Sequence, residues 1–334
     1  MTVTPQTNTS LKAIAELIAE HDNFVICGHV SPDGDCLGSQ LALWHALRAV
    51  GKNATCILVK DEPIDPSLTF MPGSEEMVPA KSFQGDASVF IGVDVPTRER
   101  IEADACAILD RCPLSITIDH HANETTMCDY VYVDPDVASA SMIVWEIAKL
   151  INEGWPPAEC ALCAYTGLIT DTGGFRFQNS DAQAFKAASE LVAYGVDPAF
   201  AAACAFQNRS LTSLQLEEIV IGRLRLREGG AVALSWVTIS DMERLGAEKS
   251  DTEPLIDTLR SIHGVRIACI LREQDGKIRG SLRSKDETDV STLARRLNGG
   301  GHKAAAGFTL DMNLEEAVKL LEVKLHELVG SQEA

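Results

Sequence analysis

Short apolar runs alternate with longer amphipathic stretches along the first half of the chain. Residues 23–29 (NFVICGH) form an apolar run ending in polar residues, and residues 38–50 then show helical periodicity, stopped by Gly51. Residues 53–59, 88–94 (SVFIGVD) and 115–119 (SITID) read as further strands, with a short fifth at 131–134. Helical patterns follow at 138–153, 157–169 and 181–194. Continuous apolar strands between helices predict an α/β domain, with a parallel sheet covered on both faces.

The pattern changes after about Gly195. Residues 197–224 are helical and amphipathic. Residues 224–238 read as a hairpin turning at Gly229-Gly230, 253–262 as a helix, and 265–273 and 277–284 as strands joined at Asp275-Gly276. A helix at 289–297, a glycine cluster, a short strand and a last helix from Leu314 complete a smaller α+β domain. The division predicted is 1–195, a helical connector at 196–222, and 223–334.

Composition adds exclusions. The formal net charge of −19 opposes a general electrostatic grip on long duplex DNA or RNA, but leaves open a small anion held by local cations. Ten cysteines lack disulfide-framework spacing, and residues 1–10 lack an apolar leader core, so reduced thiols in a cytoplasmic protein are expected. Cys160 and Cys163 form a C-x-x-C pair in an apolar helical pattern, with no second pair to complete a zinc site. No apolar stretch reaches the roughly 18 residues that span a membrane.

Four clusters place Asp or His at or just after the end of a strand signal, the edge where open parallel sheets bind ligands. They are His29-Val-Ser-Pro-Asp33-Gly-Asp35-Cys-Leu-Gly38-Ser39, Asp94, Asp119-His120-His121, and Asp171 in Thr-Asp-Thr-Gly-Gly. Singly, Asp94 or Asp171 reads equally well as a helix cap and Pro-Asp-Gly as a turn. Together, so many carboxylates on one edge would repel one another or take up protons unless cations intervene. Asp and His ligands without Cys suit Mn²⁺, Co²⁺ or Fe²⁺ better than structural zinc. Asp33 and Asp35, two apart in an extended loop, could serve different ions, and a carboxylate such as Asp94 could bridge both. Two ions about 4 Å apart clamp a phosphate and lower the pKa of a shared water.

The ordered set His-x-x-Pro-Asp-x-Asp-x-x-Gly-Ser, a strand-end Asp, Asp-His-His and Thr-Asp-Thr-Gly resembles the DHH phosphoesterases. That superfamily includes RecJ exonucleases, family II pyrophosphatases and nano-RNA-degrading enzymes. Ser281-Leu-Arg283-Ser284 and Asn298-Gly-Gly-Gly-His302-Lys-Ala-Ala-Ala-Gly307-Phe308 resemble the substrate domain associated with the nano-RNase type. The resemblance implies a pair of manganese ions, with Mg²⁺ or Co²⁺ as substitutes. His29, Asp33 and Asp94 would hold one ion, and Asp35, Asp94, His120 and Asp171 the other. Asp119 would orient a ligand imidazole. His121 would face the substrate phosphate or protonate the leaving group. Arg283, Ser284, Gly300, Gly301 and His302 would grip the substrate, with Arg100 and Arg176 as further phosphate contacts. Ser139 stands where the family has a small residue. Phe175 stands where a Ser or Gly is usual.

The activity implied is hydrolysis of short 5′-phosphorylated oligoribonucleotides, including linear pApA, to mononucleotides in a cleft between the domains. Hydrolysis of 3′-phosphoadenosine 5′-phosphate is also implied. Pyrophosphate or polyphosphate hydrolysis, direct cleavage of cyclic di-AMP, and nucleotide sensing without turnover are the alternatives. A homodimer through the first domain follows only by analogy, and no membrane partner is expected.

Overall fold

The computed structural model describes residues 6–121, 127–274, 276–301 and 303–330. The chain divides into two compact units, residues 1–208 and 209–334.

The first unit runs α1 (Leu11–Glu20), β1 (Phe24–Cys27), α2 (Gly34–Ala49), β2 (Ala54–Leu58), β3 (Val78–Pro79), β4 (Val89–Val93), α3 (Glu102–Arg111), β5 (Leu114–Asp119), β6 (Tyr130–Val133), α4 (Ala140–Ile151), α5 (Ala158–Asp171), α6 (Ala182–Ala193) and α7 (Pro198–Phe206). Its sheet has the order β3-β2-β1-β4-β5-β6, with every pairing parallel. Alternate residues of β1 enter different cores. Phe24 and Ile26 pack with residues of α1, α2, α4 and α5, while Val25 and Cys27 pack with residues of α3. Both faces are therefore covered, as the unbroken apolar strands predict. Strand order reverses at β1 and β4, which opens their carboxyl ends to a ligand.

Three differences from the sequence reading matter for the site. The helix expected from Gly38 begins at Gly34, because the Asp33 carboxylate accepts the amides of Asp35 and Cys36 at 3.1 and 3.0 Å and caps it. Asp35 is thus in a helical first turn, not an extended loop. Asp171 follows no strand: it is the last residue of α5. The third difference is α1, whose buried Ile14 and Ile18 and cap by Ser10 were available in the sequence.

The second unit runs α8 (Leu211–Gly222), β7 (Arg225–Arg227), β8 (Val232–Val237), α9 (Ile239–Leu245), α10 (Leu255–Ser261), β9 (Ile267–Gln274), β10 (Lys277–Ser284), α11 (Val290–Arg296), β11 (Gly300–Gly301), β12 (Ala305–Leu310) and α12 (Leu314–Gly330). Its sheet is mixed, in the order β11-β12-β10-β9-β8-β7, with β8 and β9 parallel. Ile267, Cys269 and Leu271 face α11 and α12, while Ala268 and Ile270 face α8 and α10. Both expected hairpins form; Asp275, in the second turn, lies outside the described residues. The stretch expected as a connector is shared between the units. In α7, Ala201 joins the first core, and in α8, Leu216 and Val220 join the second. Among the described residues, no helix is long and apolar enough to cross a membrane.

Candidate metal centre

The centre is assembled where β1, β4 and β5 end and two helix termini arrive. The loop after β1 carries His29, and Asp94 follows β4 directly in a left-handed conformation (φ 53°). Its amide donates to Ile118 O at 3.0 Å. Asp is among the residues that tolerate this conformation best. His120 follows Asp119 at the end of β5.

Two helices bring the remaining carboxylates. In α2, Gly34 and Gly38 lie against α5; a Cβ at Gly38 would come within 2.5 Å of Cys163 O, and one at Gly34 within 2.3 Å of Thr170 Oγ1. From α5, a Cβ at Gly167 would meet Asp35 Oδ1 at 2.7 Å. Bare backbone at these crossings lets the start of α2 and the end of α5 deliver Asp35 and Asp171 to one place. Asp35 is also seated at the N-terminus of α4, where its two oxygens accept Ala140 N at 2.7 Å and Ser141 N at 3.0 Å. A helix N-terminus favours an anion there.

Asp94 is the hub. Its Oδ2 lies 3.5 Å from His29 Nε2, and its Oδ1 lies 3.5 Å from His120 Nε2 and 3.3 Å from His121 Nδ1. His120 Nε2 also lies 3.7 Å from Asp171 Oδ2 and 3.8 Å from Asp35 Oδ2; His29 Nε2 lies 3.8 Å from Asp33 Oδ2. These separations exceed a normal hydrogen bond. Each is short enough for one cation to reach both atoms at about 2.1 Å. The Asp94 side chain is 2% exposed, and its Oδ1 has no hydrogen-bond partner, as a buried oxygen kept for a ligand would be. His120 Nδ1 faces Val137 O at 3.4 Å, which turns Nε2 toward the carboxylates. The donor set, carboxylates and imidazoles on one buried edge, fits a pair of divalent ions.

The electrostatics agree. Burial, then the charge of Asp94, pushes the Asp35 carboxyl up to about 7. Burial also raises Asp171 well above the usual carboxylate range, with Asp35, Asp33 and Asp94 adding to it. For Asp94 burial acts upward too, but the facing His120 and His29 outweigh it and hold the carboxyl low. His120 is raised well above an ordinary imidazole: burial opposes this, and Asp94, Asp171 and Asp35 overcome it. His121 rises to about 9, since Asp119 and Asp94 outweigh burial. Without cations, the cluster balances its charge by holding protons on imidazoles and carboxyls.

Asp119 faces both histidines that follow it. Its Oδ1 accepts the ring Nδ1 of His121 at 2.8 Å, and the amides of His120 and His121 at 2.8 and 3.2 Å. It therefore orients the His121 ring, while the His120 ring faces the backbone of Val137. Cys36, absent from the sequence reading of the site, lies with His29 and Asp94: their ligand atoms fall within 4.8 Å of one another, and its Sγ accepts His29 N at 3.2 Å. Only its position directly after Asp35 hinted at this.

The substrate-facing residues divide. In the second unit Arg283 is partly exposed on β10, and Gly300 and Gly301 are exposed on β11, paired with Gly307 and Ala306. Gly301 has φ 134°. Ser284 is fully buried, and its hydroxyl donates to Asp286 O at 2.9 Å within a turn. His302 lies outside the described residues. In the first unit Arg176 is exposed, but its Nε donates to Gly173 O and its guanidinium lies over Phe206. Arg100 is exposed, and its carbonyl accepts Val30 N at 2.8 Å beside the His29 loop.

Comparison with known proteins agrees with this geometry. The model of the DHH family, N-terminal domain, matches residues 23–168, and that of the DHHA1 domain matches residues 229–327. A bifunctional oligoribonuclease and PAP phosphatase, NrnA, of Thermus thermophilus is 31% identical over 324 residues, covering 95% of this chain and 94% of the relative. Its namesake in Bacillus subtilis is 30% identical over 309 residues, covering 91% and 94%. The crystal structure of an exopolyphosphatase-related protein from Bacteroides fragilis superposes with a TM-score of 0.89 at 28% identity, covering 97% of each chain. The chain belongs to the DHH family of metal-dependent phosphoesterases, with a DHHA1 domain behind the family's N-terminal domain.

Proposed function

We propose that this protein is a manganese-dependent phosphoesterase that hydrolyses short 5′-phosphorylated oligoribonucleotides such as pApA to mononucleotides, and PAP as well. The observation that carries the reading is the buried, unsatisfied Asp94 oxygen, faced by imidazoles on a sheet edge already crowded with carboxylates. In the proposed ligand sets, His29, Asp33 and Asp94 hold one ion, and Asp35, Asp94, His120 and Asp171 the other. Such a pair, when bound, supplies positive charge to the phosphate and acidifies a water between its members.

The chain's own groups do the rest. Asp35 is held against the α4 amides, so its carboxylate cannot swing away. Asp119 fixes the His121 ring through Nδ1, which leaves Nε2 to meet the substrate. Water attacks phosphorus as the P–O bond to the leaving nucleotide breaks; the water's proton passes to solvent, and His121 gives its Nε2 proton to the departing oxygen. A proton on this ring at neutral pH accords with its position beside Asp119. Arg283, Gly300, Gly301 and His302 of the second unit are proposed to grip the terminal phosphate and nucleotide, with Arg100 and Arg176 as auxiliary phosphate contacts. All ten cysteines are free thiols, which suits a reducing cytoplasm.

A turnover panel tests this: pApA, a five-nucleotide RNA, PAP, cyclic di-AMP and pyrophosphate, each with Mn²⁺ and with Mg²⁺. The proposed function gives fastest release from pApA with Mn²⁺. Faster phosphate release from pyrophosphate than from pApA would move the protein to the pyrophosphatase reading.

A further inference from the structure

The segment between β6 and α4 touches two of the proposed ligands. Val137 O faces the ring of His120, and the amides of Ala140 and Ser141 hold Asp35. Asp171 comes from elsewhere, the very end of α5. That is an adverse place for a carboxylate, because a helix C-terminus carries partial negative charge and its last carbonyls lack partners. One side chain joins the two regions. Asn179 Nδ2 donates to Ala138 O at 3.0 Å and to Asp171 O at 3.1 Å.

Two carbonyl partners settle how this amide is turned, since only its NH₂ can face them. The cost is visible on the other side: Asn179 Oδ1 is buried with no hydrogen-bond partner. A side chain that leaves its acceptor unsatisfied to keep two donors in place is acting as a clamp. The clamp caps an orphan carbonyl of α5 and sets the spacing between Asp171 on one side and Asp35 and His120 on the other.

We propose that Asn179 is a positioning residue for the ion held by Asp35, Asp94, His120 and Asp171, and has no part in holding the ion at His29 and Asp33. This rests on the two-cation reading above. The test is a Mn²⁺ titration of the full chain, with free ion followed by electron paramagnetic resonance, alongside thermal melting of the metal-free protein. Asn152→Ala is the matched control. Its Nδ2 also donates to two carbonyls, Ala46 O at 3.2 Å and Ala148 O at 3.0 Å, but at the far end of α4.

Asn179→Ala is expected to weaken one of the two ions by about tenfold, the scale of losing a group that orients a ligand, while the other keeps its affinity. Asn152→Ala should lower the melting temperature and change neither ion. Asn179→Ser, which keeps one donor, is read by the same criterion if the Ala variant does not fold. Unchanged affinities in the Asn179 variants, or an equal loss for both ions, overturn the proposal. Fewer than two ions on the unsubstituted protein removes the two-cation reading first, and this proposal with it.

Discussion

At the residue scale the proposed roles separate groups that hold charge from His121, which would move a proton. Asp94 stands between His29 and His120, whereas His121, which also approaches Asp94, is tied to Asp119 and faces partly outward. His121→Gln should therefore lower kcat for pApA by about a hundredfold or more, the usual scale of a lost general acid, with two Mn²⁺ still bound. Loss of Mn²⁺ binding in that variant would make His121 a ligand instead. A second residue-scale expectation concerns pH. Asp241 of the second unit bonds Arg223 and caps α9 through Thr238. Burial acts upward on it, but Arg223 and Thr238 outweigh this and hold it at about 2, below its ordinary 3.8. A depressed carboxylate stabilises the fold above its unfolded pKa. That contribution, about 2 kcal/mol, should fade as pH falls from about 4 to 2. Asp241→Asn should be less stable at pH 7 and nearly equal to the parent at pH 2, as urea melts would show; an equal deficit at both pH values contradicts this.

At the element scale, helix crossings set the reach of the ligands. Gly38→Ala would force α2 off the Cys163 carbonyl. It should destabilise the protein by about 1–3 kcal/mol, as overpacking does, and weaken Mn²⁺ binding at the same time. A variant with lower melting temperature but intact ion affinity would separate the crossing from the site. Elements are also where the sequence was readable unevenly. Five of the six parallel strands announced themselves, because runs such as VFIGV are buried on both faces and unbroken, while the two-residue β3 is too short to leave a pattern. Helix α3 did not: its stripe of Ala105, Ile108 and Leu109 is narrow, and no side chain caps its start. The start of α2 was hidden because Asp33 does two things: one carboxylate oxygen caps the helix while the other faces His29. Asp171 was legible as chemistry but not as geometry, since nothing in Thr-Asp-Thr-Gly says that a helix ends there. The Asn179 clamp left no periodic signal, because its partners are carbonyls eight and 41 residues away.

For the whole molecule, the charge of −19 suits a small-substrate enzyme better than one that tracks along polymers. Long single-stranded RNA should thus compete poorly with pApA, and weak competition should persist at low salt, where a basic groove would bind strongly. Strong competition at low salt would point to a polymer-binding surface. In the proposed centre, donors from three strand ends and two helix ends close around two cations. Anomalous diffraction at the manganese edge, from crystals soaked in Mn²⁺, addresses it directly. Two peaks flanking Asp94, one beside His29 and Asp33 and one beside Asp35, His120 and Asp171, are the expected result. A lone peak away from Asp94, or none, would contradict it.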